Sequence, residues 1–100
     1  MTLAEIADWQ EETFGKVTFQ RAVGRAKEEW HELEDKIIEG MRSESGVDAK
    51  ALAYEVADVI IVLAGALRAL SYDHAVDEKM AINKARKWKL RWDVTAYHIK

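Results

Sequence analysis

The chain has no cysteine and no proline, and only five of its 100 residues are glycine. Without cysteine there is no disulfide framework and no thiolate for a metal, which fits a cytoplasmic setting. Without proline, and with so few glycines, the turn chemistry of a many-stranded β protein is missing; a few long helices suit the composition better. No apolar run is long enough to span a bilayer. The longest uncharged one, Val59–Leu67, falls well short of the roughly 20 residues required. Acids stand in MTLAEIADWQEE where a signal peptide needs bases and an apolar centre. A large surplus of one charge sign is missing too. The formal net charge is -3, so no specific nucleic-acid binding and no membrane association are expected.

What is present is apolar material, 49% of the residues, enough for one small domain over residues 1–100 that gains from oligomerisation. Four helices are legible. Thr2 and Glu5 form a capping-box pattern before LAEIADW, predicting a first helix to about Phe14, with Gly15 after it. A second helix is expected from Thr18 to Ile38, because Phe19, Ala22, Val23, Ala26, Trp30, Leu33 and Ile37 recur at helical spacing; Gly40 is a plausible stop. RSESG is a polar loop, and Asp48 suits the N-cap of a third helix ending near Leu70–Ser71. Asp73 suits the cap of a fourth, from His74 to Trp88 or a little beyond, while the tail WDVTAYHIK has no clear period. The fold class expected is therefore all-α, a four-helix bundle. The third helix is apolar nearly all round from Val56 to Leu67, so it should be central, with surface left for a second copy of the chain.

That apolar helix nevertheless opens with two carboxylates, Glu55 and Asp58, in EVADVIIVLAGAL. Ionised carboxylates in a dry interior must be solvated, protonated or paired with a cation. The second helix carries Glu28, Glu29 and Glu32 in KEEWHEL. Spacings of three put Glu29 with Glu32, and Glu55 with Asp58, on shared faces. At about 100° per residue, Glu29 lies at the edge of the apolar stripe, Glu32 further round and Glu28 almost opposite. Two such helices side by side build an all-oxygen site for Mg²⁺, with Mn²⁺ as a substitute, from Glu29, Glu32, Glu55 and Asp58. With those four set apart the rest of the chain is close to neutral, so the negative field is local to the cleft. Acid-rich helices are commonly just solvated faces; EVAD within an apolar helix has little solvated face to occupy. A di-iron centre is disfavoured, because Glu28-x-x-His31 has no second copy in the chain.

The segments KEEWHEL and EVADVIIVL resemble the EExxE…ExxD signature of the MazG-like, all-α nucleoside triphosphate pyrophosphohydrolases. KMAINKARKW, within a segment of bases and no acids, is similar to that family's Lys-x-x-x-Asn-x-x-Arg-x-Trp. The resemblance spans Trp9 to Trp88; beyond it Asp93 and His98 fit loosely, with Val94 where relatives have glycine. It implies Mg²⁺-dependent hydrolysis of a (d)NTP to the monophosphate and pyrophosphate. Glu29, Glu32, Glu55 and Asp58 would then be the metal ligands, and Lys79, Asn83 and Arg86 the phosphate-binding residues. Such chemistry needs positioning and charge neutralisation, with water as nucleophile. Glu32 or Glu28 is the candidate to accept the water's proton, and Trp9 and Phe14 are candidates to stack on the base. A homodimer or homotetramer is the expected assembly. Two other readings fit the same residues, a non-catalytic helical interaction module and a pyrophosphohydrolase acting on a phosphoribosyl-nucleotide.

Overall fold

The computed structural model describes the backbone of residues 1–90 and 96–99 and the side chains of residues 1–86. Among the described residues there are four helices, α1 (Leu3–Phe14), α2 (Phe19–Arg42), α3 (Ala49–Ala69) and α4 (Ala75–Ala85). The all-α bundle expected from the sequence is present. A short two-stranded antiparallel ribbon follows it, β1 (Lys87–Leu90) against β2 (Ala96–Ile99), in a register that pairs Trp88 with His98.

The helix starts are fixed by side chains. Thr2 accepts from the Glu5 amide at 3.1 Å, Thr18 from the Arg21 amide at 3.2 Å, and Asp48 from the amides of Lys50 and Ala51. Gly15 ends α1 at φ 80°, a left-handed backbone that glycine adopts without strain. At the end of α3 the Tyr72 amide donates to the Leu67 carbonyl and the Ser71 amide to the Arg68 carbonyl, a Schellman turn with Ser71 at φ 60°.

Three local expectations are corrected. Gly40 does not stop α2, which runs on to Arg42; it is the point where the returning chain passes closest, since a Cβ there would lie 2.8 Å from Val47 Cγ2. Asp73 does not cap α4; its carboxylate is taken by Arg68 Nε, at 2.8 Å and 2.9 Å, and His74 holds the cap position without a side-chain bond. Finally, α4 ends at Ala85, so Trp88 lies in β1. The alternation KWKL is a strand pattern that overrides the preceding helical one. Asp93 and Val94 lie outside the described residues, as do the side chains of Trp88 and His98.

Helix α3 is central, packing against α2 along its length and against α1. The buried core is small and made largely of short side chains: Ala7, Ala22, Leu33, Val62, Ala64 and Ala66. Short side chains let the helix backbones approach closely. Gln10 Nε2 pins α1 to α3 by donating to the Ile61 carbonyl at 2.7 Å. Arg68, on α3, makes ion pairs with Asp8 and Glu11 of α1 and with Asp73 in the turn. Those partners hold its guanidinium more firmly protonated than usual. Helix α4 buries no residue. Opposite the α1 side, Val56, Ile60 and Leu63 of α3 and Trp30 of α2 remain exposed. No helix among the described residues is long and apolar enough to cross a membrane.

Candidate metal centre and active site

The acids of KEEWHEL and EVAD meet where α2 and α3 run antiparallel, joined by the short loop from Ser43 to Asp48. One carboxylate oxygen from each of Glu29, Glu32 and Glu55 lies within 4.8 Å of the other two. Glu29 and Glu55 are half-buried, and the Oε2 atom of each is shielded from solvent with no hydrogen-bond partner among the described residues. Glu32 is exposed and closes the cluster on its solvent side.

The electrostatics follow from that placement. Burial pushes the Glu29 carboxyl above the ordinary carboxylate range. The charge of Glu32, a hydrogen bond with it and the charge of Asp58 push the same way, and Arg25 opposes them. Carboxylates gathered this closely, with two oxygens shielded and unpaired, favour a positive charge among them. Hard oxygen donors alone suit Mg²⁺ or Mn²⁺ and disfavour zinc, which prefers nitrogen and sulfur. The residues present therefore fit a divalent cation.

The structure gathers Glu29, Glu32 and Glu55, three of the four carboxylates expected. Asp58 stands beside them, exposed but close enough for its charge to act on Glu29. Glu28 is exposed and not part of the cluster. Lys79, Asn83 and Arg86 lie on and just after α4, where Arg86 Nη1 donates to Asn83 Oδ1 at 3.4 Å. Among the described residues, α4 is not packed along the α2–α3 seam that holds the carboxylates. Trp9 and Phe14 meet edge to face at 5.6 Å near the end of α1. Phe14 and Gln10 line a cavity of about 40 Å³ in the angle between α1, α2 and α3, together with Arg25 and Arg68. The sequence reading passed over Gln10 and Arg25. Gln10 is a polar group on the inward side of α1, and Arg25 is an exposed base with no sequence signal that sets it apart.

This fold and site were compared with known proteins. No family model matches the chain, and no curated protein matches it. Among solved structures it is similar to the cyanophage S-2L MazG-like pyrophosphohydrolase bound to dGDP and three catalytic Mn²⁺ ions per active site. The likeness covers 98% of this chain and 89% of that one, with a TM-score of 0.58 and 29% identical residues. The class defined by fold and carboxylates is that of the all-α, metal-binding nucleotide hydrolases. Within it, the likeness is to the MazG-like pyrophosphohydrolases.

Proposed function

We propose that the chain is a Mg²⁺-dependent nucleoside triphosphate pyrophosphohydrolase that cleaves a (d)NTP to the (d)NMP and pyrophosphate, with Mn²⁺ able to replace Mg²⁺. The observation that carries this reading is the convergence of Glu29, Glu32 and Glu55 with two buried, unpaired oxygens. The similar structure, bound to dGDP and Mn²⁺, supports the nucleotide and the cation.

In this reading Glu29 and Glu55 would hold a divalent cation from the half-buried side of the cluster, and Glu32 and Asp58 from the solvent side. The cation would neutralise charge on the triphosphate and lower the pKa of a water molecule. The water oxygen bonds to phosphorus, the α–β anhydride bond breaks, and pyrophosphate leaves with the electron pair. Glu32, exposed at the edge of the cluster, is placed to take the water's proton; Glu28, outside the cluster, is a poorer candidate. Trp9 and Phe14 offer an aromatic edge for the base beside the cavity. Lys79, Asn83 and Arg86 serve the phosphates from a neighbouring copy, since α4 stands off the seam of its own chain. The assembly is then a homodimer or homotetramer, held by the apolar face left open on α2 and α3.

A panel of NTPs and dNTPs with Mg²⁺ or Mn²⁺, assayed separately for pyrophosphate and orthophosphate, tests the proposal. Pyrophosphate release dependent on the cation is the expected result. Orthophosphate release would defeat the bond assignment, and no turnover of any nucleotide would leave a helical interaction module as the better reading.

A further inference from the structure

The seam that holds the carboxylates also carries a cation that no hydrogen bond or ion pair among the described residues ties down. Arg25 precedes Glu29 by one helical turn on α2, a spacing that puts the two side chains on the same face. It makes no hydrogen bond or ion pair among the described residues, although it is close enough for its charge to act on Glu29. Arg68, on the same cavity as Arg25, is taken by Asp8, Glu11 and Asp73, and Lys36, one turn beyond Glu32, lies 3.6 Å from Glu39. Arg25 also lines the cavity shared with Gln10 and Phe14, so it stands between the carboxylates and the aromatic end of α1.

A positive side chain beside a cation site is a handicap for binding the bare cation, because the two repel. It becomes an asset once an anion arrives with the cation. We propose that Arg25 is a substrate-binding residue whose guanidinium holds a phosphate oxygen of the nucleotide seated at the Glu29–Glu32–Glu55 cluster. The planar fork suits two parallel N–H···O bonds to phosphate, which a lysine cannot reproduce. Arg25 then supplies positive charge from the chain's own α2, whereas in the reading above the bases of α4 come from a second copy. The assignment rests on the nucleotide reading above.

Calorimetric titration separates it from a structural role. Wild type, Arg25→Gln and Arg25→Lys are titrated with Mn²⁺ alone, then with non-hydrolysable α,β-imido analogues of the dNTPs at saturating Mn²⁺. For Arg25→Gln, Mn²⁺ should bind as tightly as in wild type or more tightly, while the analogue binds about tenfold or more weakly. Arg25→Lys should fall between. Unchanged analogue affinity in Arg25→Gln would overturn the proposal, and so would parallel losses of Mn²⁺ and analogue, the mark of damaged structure. A wild type that binds no analogue would sink the nucleotide reading, and this assignment with it.

Discussion

Glu29 and Glu55 each keep an oxygen shielded from water and unpaired among the described residues, a cost that a bound cation would remove. Glu55→Gln keeps the shape of the side chain and removes its charge. Turnover should fall by about a hundredfold or more, while the melting temperature in metal-free buffer stays level or rises, because repulsion with Glu29 is relieved. Activity near wild type would refute the ligand role. Glu29 gives a pH signature. Its carboxyl is held above its ordinary 4.5, so between that value and the native one the folded chain binds a proton more tightly than the unfolded chain does. The stabilising effect of the protonated form is complete below the ordinary value and is lost as pH rises through the native pKa. In metal-free buffer the melting temperature of wild type should therefore decline through this window relative to Glu29→Gln. With Mn²⁺ present the trend should reverse, since cation and proton compete for the same oxygens. Melts at a series of pH values check both signs.

At the scale of the element, two glycines in α2 give opposite expectations. Gly24 has open space where a Cβ would stand, so Gly24→Ala should stabilise by about 1 kcal/mol through helix propensity alone. Gly40 gains the same propensity on becoming alanine, but its Cβ would meet Val47 Cα at 3.0 Å and Cγ2 at 2.8 Å. The backbone atom cannot rotate away, and overpacking costs about 1–3 kcal/mol. Gly40→Ala should therefore be the less stable variant in urea denaturation, despite the better helix former. Close approach at Gly40 sets how α3 leaves the loop, and so how its acids face those of α2. Helix α1 is held to α3 by another device, the three-acid grip on Arg68, at the opposite end of α3 from the carboxylates. The site is thus built on two helices braced at both ends.

At the scale of the whole molecule the chain is open. Its radius of gyration is 16.7 Å, against about 13 Å for a compact domain of 100 residues. Trp30 is 52% exposed and Ile60 48%. With Val23, Ala26, Val59 and Leu63, Trp30 lines an apolar strip that the described residues leave uncovered. Sedimentation equilibrium should give a mass that is a multiple of 11.4 kDa. Leu63→Glu, which places a charge on the strip, should shift the protein towards monomer and reduce turnover with it if, as proposed, the bases of α4 serve a partner's site. A wild-type monomer with full activity would show that the open face does not support catalysis.

The helices and the identity of the acids were legible in the amino-acid sequence because both depend on spacing along one chain. Thr2, Thr18 and Asp48 announce helix starts, and a repeat of three and four residues puts Glu29 beside Glu32, and Glu55 beside Asp58, whatever the rest does. Tertiary structure alone decided which of these acids converge, since the meeting of α2 with α3 depends on the loop and on Gly40 against Val47. It also drew Asp73 to Arg68 rather than to a helix cap, and set α4 away from the carboxylates, for the reach of a side chain across space is not written in its spacing. Arg25 illustrates the difference. In sequence it is one base among many; in the fold it is a cation without an ion pair among the described residues, one turn from a cluster that gathers negative charge.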